Sequence, residues 1–162
     1  MMSVIPTMDN STLIILASSR KNGNTRQFVT DTYGTITPTV IDLLDYTIAP
    51  YNYAEVYPYN DQFQQIIDEA LKYDVIVLAT PVYWYSMSGL LKTFFDRLTD
   101  LTSVEKAKGK QLNGKIMKVL STGTDERLPV GFEVPFRETA DYFDMIYEGC
   151  RYCHIKEELP QL

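Results

Sequence analysis

Two stretches carry the side chains best suited to chemistry. The first is Ser18 to Thr25, SSRKNGNT, with hydroxyls at Ser18, Ser19 and Thr25, amides at Asn22 and Asn24, and a guanidinium at Arg20. Neutral donors gathered around a guanidinium suit a phosphate, because hydrogen bonds to an anionic oxygen are the strong ones. Gly23 frees the backbone to turn its N–H groups toward a ligand. The same residue types also populate ordinary surface turns, so composition leaves both readings open. A position directly after the first strand favours phosphate, since a helix N-terminus there adds a positive end. The stretch is neither a Walker loop nor a G-x-G-x-x-G fingerprint, because Gly23 is its only glycine.

The second stretch is Pro81 to Ser88, PVYWYSMS. It suits a flat, amphipathic ring. Pro81 stiffens the exit from a strand, while Val82, Tyr83 and Trp84 offer apolar and aromatic surface. Backbone N–H and C=O groups beside them can address ring heteroatoms. Aromatics more often pack as core or as a subunit contact, but consecutive ones cannot all enter one core. A third stretch, Ser121 to Gly131, begins Ser121-Thr122-Gly123 and reads as a long polar loop able to close over the far edge of such a ring.

Cys150-Arg-Tyr-Cys153-His154 matches the C-x-x-C-H pattern of haem attachment. The N-terminus MMSVIPTMDNST has neither a basic start nor a long apolar stretch, so no export signal supports that reading. Two Cys and one His fall short of a four-ligand zinc set. Two incidental thiols just past a strand are the favoured reading, and His154, the single histidine, is poorly placed for a hydrolytic triad.

The elements that must position these loops alternate. Thr12–Ala17 is a short apolar run of strand length, followed by a helix with Phe28, Val29 and Tyr33 on one side. Thr39–Leu43 is a second strand. Asp45–Asn60 is irregular and holds five tyrosines. Asp61 with Gln64 marks a helix start, and Phe63, Ile66, Ile67, Ala70 and Leu71 then follow helical spacing. Val75–Ala79 is the clearest strand. The helix from Ser88 turns Leu90, Leu91, Phe94, Phe95 and Leu98 inward and Lys92, Thr93, Asp96 and Arg97 outward. Lys106–Lys115 is a polar connection, and Ile116–Leu120 is a fourth strand. Pro135 suits the first turn of a last helix carrying Phe136, Ala140 and Phe143, and Met145–Glu148 is a fifth strand.

Strand and helix alternating five times imply an α/β fold: a five-stranded parallel sheet, doubly wound in three layers. In such a sheet a ligand binds outside the carboxyl ends of the strands, where the order reverses. With the order 2-1-3-4-5, the first two loops flank that point. Residues 1–162 form a single domain, with 1–11 a loose lead-in and 151–162 a C-terminal tail. The net charge of -6 argues against a nucleic-acid partner. No apolar run is long enough for a membrane span, so the expected location is cytoplasmic.

At these residues the chain resembles the NAD(P)H-dependent FMN reductase branch of the flavodoxin-like fold. SSRKNGNT is similar to that family's phosphate loop, and TPVYWYSMSGLLKTFFDRL to its ring loop and following helix. The resemblance covers nearly all of 12–149 and implies FMN as cofactor. It puts Ser18, Arg20, Asn22, Asn24 and Thr25 on the FMN phosphate. Pro81, Val82, Tyr83, Trp84 and Ser86 would line the ribityl chain and isoalloxazine, with Ser121, Thr122 and Gly123 at the ring's far edge. It further implies hydride transfer from NADPH or NADH to flavin N5, electrons passing to a small-molecule acceptor (a quinone, flavin, azo compound or metal ion), and a homodimer. No side chain is expected to act as acid or base. Iron–sulfur relatives carry a cysteine cluster where this chain reads IAPYNYAE, so no cluster is expected there. The alternative activity is that of a non-enzymatic, flavodoxin-like electron carrier.

Overall fold

The computed structural model describes residues 11–34 and 38–156. Most of the expected lead-in, and residues 157–162 of the expected tail, lie outside the described residues. Five strands form one parallel sheet in the order β2-β1-β3-β4-β5. They are β1 (Thr12–Leu16), β2 (Thr39–Asp42), β3 (Val75–Pro81), β4 (Ile116–Gly123) and β5 (Ile146–His154). The helices are α1 (Asn24–Tyr33), α2 (Phe63–Ala70), α3 (Gly89–Arg97), α4 (Lys106–Lys110) and α5 (Val134–Tyr142). The architecture is the flavodoxin-like one expected, and its strand order reverses between β1 and β3.

β1 is buried along its whole length because both its faces are covered. Leu13 and Ile15 join one core with Ile66, Ile67, Leu91, Phe94, Phe136 and Ala140 from α2, α3 and α5. Ile14 and Leu16 join a smaller core with Phe28 and Val29 of α1. Alternate strand residues point to opposite faces, so a continuous apolar run marks a strand sandwiched between helices. Each such fully buried aliphatic side chain contributes about 1.5–3 kcal/mol.

Five expectations need correction. Arg97 does not face solvent: its side chain is 1% exposed. Leu91, Phe94 and Arg97 recur at intervals of three, and all three are buried on the inner side of α3. The guanidinium is saturated there. Nη1 donates to Asp61 Oδ1 at 2.8 Å and to the Ala49 carbonyl at 2.9 Å; Nη2 donates to Asp61 Oδ2 at 3.0 Å. Nε donates to Asp100 Oδ2 at 3.0 Å, and the Tyr57 ring centroid lies 3.3 Å from the guanidinium carbon. Tyr57 closes the group by donating to Asp100 Oδ1 at 2.8 Å. A buried charge is tolerable only when paired in this way. The cluster fastens the irregular Tyr-rich segment to α3.

Asp61 is therefore not the first half of a capping box with Gln64. Its carboxylate takes Arg97, the Ala49 N–H at 2.7 Å and the Phe63 N–H at 3.3 Å, while Gln64 accepts from Lys108. The connection after α3 is also more ordered than expected, with a 3₁₀ turn at Leu98–Thr102 and the short α4 inside it.

Ser121, Thr122 and Gly123 do not begin a loop. They end β4, with Ser121 paired to Thr80 and Thr122 to Pro81. Likewise Arg151–His154 are not tail residues but the end of β5, paired with Leu120–Gly123. The ladder shifts register between Met117 and Val119, where β5 fits two residues against one. Gly149 supplies the left-handed φ of +94° that this bulge requires.

Candidate functional site

The three chemistry-bearing stretches meet at the carboxyl edge of the sheet. β1 leads into the first through Ala17, whose N–H donates to the Ala79 carbonyl of β3 at 2.8 Å. Ser18 is buried, and its Oγ accepts from the Arg20 N–H at 3.4 Å. Ser19, Arg20, Lys21, Asn22 and Asn24 are exposed. Gly23 sits at the N-cap of α1 in an extended conformation, with no side-chain cap and no acid in the first turn. The opening N–H groups of α1 are thus left for a partner outside the helix. Arg26 holds the loop in shape: Nε donates to the Lys21 carbonyl at 2.6 Å, and Nη2 pairs with Asp42 at 2.6 Å. Lys21 pairs with Asp45. No carboxylate pairs with Arg20 among the described residues.

β3 delivers the second stretch. The Val82 N–H donates to the Thr122 carbonyl at 2.7 Å. Tyr83 and Ser86 then exchange both backbone hydrogen bonds, at 2.9 and 3.1 Å, around Trp84 and Tyr85. Those two residues have φ of +48° and +66°. Positive φ at both central positions is the type I′ pattern, normally given to Asn or Gly. Bulky residues adopt it only when the surroundings enforce it. The turn presents its aromatics outward, with Trp84 92% and Tyr85 66% exposed. None of the three consecutive aromatics is core. The loop closes at Ser88, whose N–H donates to Thr80 Oγ1 at 3.0 Å and whose Oγ caps α3 by accepting from the Leu91 N–H at 3.1 Å.

β4 supplies the far edge. Ser121 Oγ donates to the Thr80 carbonyl at 2.9 Å, and Thr122 shares a 2.8 Å hydrogen bond with Thr25. Both threonines are buried. Gly123 has no room for a side chain: a Cβ there would stand 2.7 Å from Tyr152 Oη and 3.2 Å from the Val82 Cβ. Tyr152 is itself held by donating to the Asp125 carbonyl at 2.7 Å. A cleft of about 210 Å³ follows, lined by Val82, Trp84, Tyr85, Thr124 and Asp125.

All thirteen anticipated residues thus lie on the three segments at this edge, but in two groups. Arg20, Asn22, Asn24, Tyr83, Trp84 and Ser86 are exposed, with Val82 half-buried. Ser18, Thr25, Pro81, Ser121 and Thr122 are buried, and the Thr25, Thr122 and Ser121 hydroxyls are occupied by protein partners. Gly123 contributes close approach rather than a side chain. Sequence reading did not assign Thr80, Ser88, Arg26, Tyr152, Thr124 or Asp125. Ser88 had a signal, a serine directly before an amphipathic run. Arg26 and Tyr152 had none, since Asp42 and Asp125 lie on other elements, 16 and 27 positions away in the chain.

The donor set fits a phosphate: an uncapped helix start, exposed amides and a guanidinium without a carboxylate partner among the described residues, with no acid in the first turn of α1. The neighbouring aromatic turn and cleft fit a flat ring.

The C-x-x-C-H segment is resolved by its strand. Cys150 packs on the α2/α3/α5 side and Cys153 on the α1 side. Opposite faces prevent the pair from gripping one haem or metal ion. Burial, with Glu133 nearby, pushes the Cys150 thiol up to about 12, so it stays protonated at neutral pH.

A doubly wound sheet with an anion-ready loop after β1 and an aromatic loop after β3 defines a flavodoxin-like protein. The chain matches the NADPH-dependent FMN reductase family over residues 11–150. It belongs to that family. A putative NAD(P)H-dependent FMN-containing oxidoreductase of Bacillus subtilis is 45% identical over 40 residues, which is 25% of this chain and 22% of that one. The match thus spans about a fifth of the relative's length. Among solved structures, the Trp repressor binding protein of Bacillus subtilis superposes with a TM-score of 0.72 at 23% identity, covering 90% of this chain and 88% of that one. The general stress protein 14 of Treponema denticola, solved in complex with FMN, gives a TM-score of 0.63 at 24% identity, covering 89% and 86%. These two likenesses establish the fold. Among the described residues no helix is long and apolar enough to cross a membrane.

Proposed function

We propose that the protein reduces a small-molecule acceptor with NADPH or NADH through FMN held at the carboxyl edge of the sheet. The observation that carries this is the uncapped N-terminus of α1 beside Arg20, without a carboxylate partner among the described residues, and next to the aromatic turn at Tyr83–Ser86. When bound, FMN supplies the redox chemistry, accepting a hydride from the nicotinamide and releasing electrons to a quinone, flavin, azo compound or metal ion. The chain's own residues bind and orient. Arg20, Asn22, Asn24 and the first N–H groups of α1 hold the phosphate, with Ser18 and Thr25 shaping the loop beneath it. Val82, Tyr83, Trp84 and Ser86 line the ring and ribityl chain against Pro81. Backbone N–H groups of the two ring loops would stabilise negative charge on the reduced ring. No acid or base is required.

The reading extends to a homodimer in the cytoplasm, without a nucleic-acid partner. A groove of about 510 Å³ between α3 and α5, lined by Phe95, Leu98, Val134 and Tyr142 among others, is the apolar surface a second copy would cover. Both cysteines are free, as suits a reducing compartment. The test is anaerobic addition of NADPH or NADH to the FMN-loaded protein. Bleaching of the yellow band at catalytic rates supports a reductase, whereas only slow bleaching points to an electron carrier.

A further inference from the structure

The phosphate loop and the aromatic loop are tied together twice. One tie is buried, at their base, where Ser88 Oγ meets the Ala17 carbonyl at 2.8 Å. The other is exposed, at their tips, where the hydroxyls of Ser19 and Tyr83 lie 2.7 Å apart. These residues are 64 positions apart in the chain. The two ties differ in kind. The base tie also caps a helix, so it is part of the fold. The tip tie joins two solvent-exposed hydroxyls, holds no element together, and stands between the two halves of the ligand site.

Tyr83 is well placed to hold Ser19. Its N–H and C=O are both engaged by Ser86, which sets the direction of its side chain. Ser19 has no comparable anchor: it precedes Arg20 in the exposed part of the loop, and Tyr83 is the one side chain bonded to it among the described contacts. Resting on the flavin site proposed above, we infer that Tyr83 acts through Ser19 as a positioning residue for the phosphate loop, and so sets the preference for a phosphorylated flavin over an unphosphorylated one. The ring of Tyr83 remains available as surface to the isoalloxazine. Its hydroxyl serves the far end of the ligand.

This separates the two parts of one side chain experimentally. Tyr83→Phe keeps the ring and removes the latch; Ser19→Ala removes the other half. Dissociation constants for FMN and riboflavin are measured from flavin fluorescence on the full chain. Each single variant is expected to weaken FMN about three- to tenfold, the size of one hydroxyl hydrogen bond, and to leave riboflavin within about twofold. The double variant should be no worse than either single one, as coupling through one contact requires. Equal weakening of both flavins places the effect on the ring and overturns the latch. Additive losses in the double variant, or unchanged FMN affinity, overturn it as well. A wild-type protein that binds neither flavin overturns the cofactor site and the latch together; one that binds FMN with Tyr83→Phe unaltered overturns the latch alone.

Discussion

The hydroxyl of Ser88 donates to the Ala17 carbonyl at 2.8 Å and accepts from the Leu91 N–H at 3.1 Å. One buried side chain thus caps α3 and pins the start of the phosphate loop. Ser88→Ala removes the cap and strands a buried carbonyl. Together these should cost about 2–3 kcal/mol. Urea unfolding measures the loss, and FMN should bind more weakly in the same variant. An unchanged midpoint would remove Ser88 from the site's framework.

Arg97 neutralises two carboxylates inside the protein. Arg97→Met should cost about 3–5 kcal/mol, because Asp61 and Asp100 remain buried without their partner. The pH profile carries the same signature. Burial alone would raise the Asp61 carboxyl, but hydrogen bonds from Arg97 and the Ala49 N–H outweigh it and hold it below the ordinary 3.8. Its contribution is therefore present above that value and lost as pH falls through the lower folded value. Tyr57 moves the other way: burial and its bond to Asp100 raise it from 10.0 to about 12. Its contribution is full below 10 and disappears as pH rises through 12. Stability against pH should fall at both ends in the wild type. The alkaline fall should be smaller in Tyr57→Phe.

Arg20→Ala should weaken FMN about ten- to a hundredfold, the range for losing a charge-assisted hydrogen bond, with little effect on riboflavin. Titration of apoprotein with both flavins checks it. Retained FMN affinity would move the phosphate away from this loop.

Trp84 is the single tryptophan, so intrinsic emission reports directly on the aromatic turn. FMN binding should quench it, and an unchanged signal would place Trp84 away from the ring. Because Trp84 and Tyr85 both hold left-handed φ, Tyr85→Gly should raise apoprotein stability by about 1 kcal/mol. Thermal melts of the apoprotein give the sign.

Cys150 and Cys153 should form no disulfide with each other in the native protein, since the sheet stands between them. Mass spectrometry after mild oxidation of the folded chain should show two alkylatable thiols on subsequent unfolding.

The sheet was legible because its signals are local. Continuous apolar runs of strand length separated by amphipathic helices define layers without any long-range information, and the length of TLIIL and the polar cluster behind it favour strand. The loops at the carboxyl edge were legible for the same reason: their residue types and their place after a strand are both local. Arg97 was not. A charged residue beside an aspartate reads as solvent-facing, and the partners that make its burial tolerable include Asp61 and Ala49, 36 and 48 positions away in the chain. Ser121-Thr122-Gly123 has the composition of a loop, yet pairing with Thr80 and Pro81 makes it strand. Arg151–His154 looked like tail because Arg151 and His154 are polar, which an edge strand tolerates. The division of the site into exposed and internally bonded hydroxyls was equally hidden, since Thr25 and Thr122 differ from a ligand-facing pair only in what they meet.

The bulge at Gly149 acts as a parity switch for the edge strand. Tyr147 and Cys150 are an odd number of positions apart, yet both pack on the same side of the sheet. That is possible only because one extra residue is absorbed between them. Every residue beyond it inherits the inversion, including Tyr152, whose ring closes over Gly123. Deleting Glu148 would leave the residue types at the site untouched and still turn the end of the strand over. Tyr152 would then leave Gly123, and Arg151 or Cys153 would take its place at the rim of the cleft. The shape of the ring's far edge is thus set by a count of residues some distance from it.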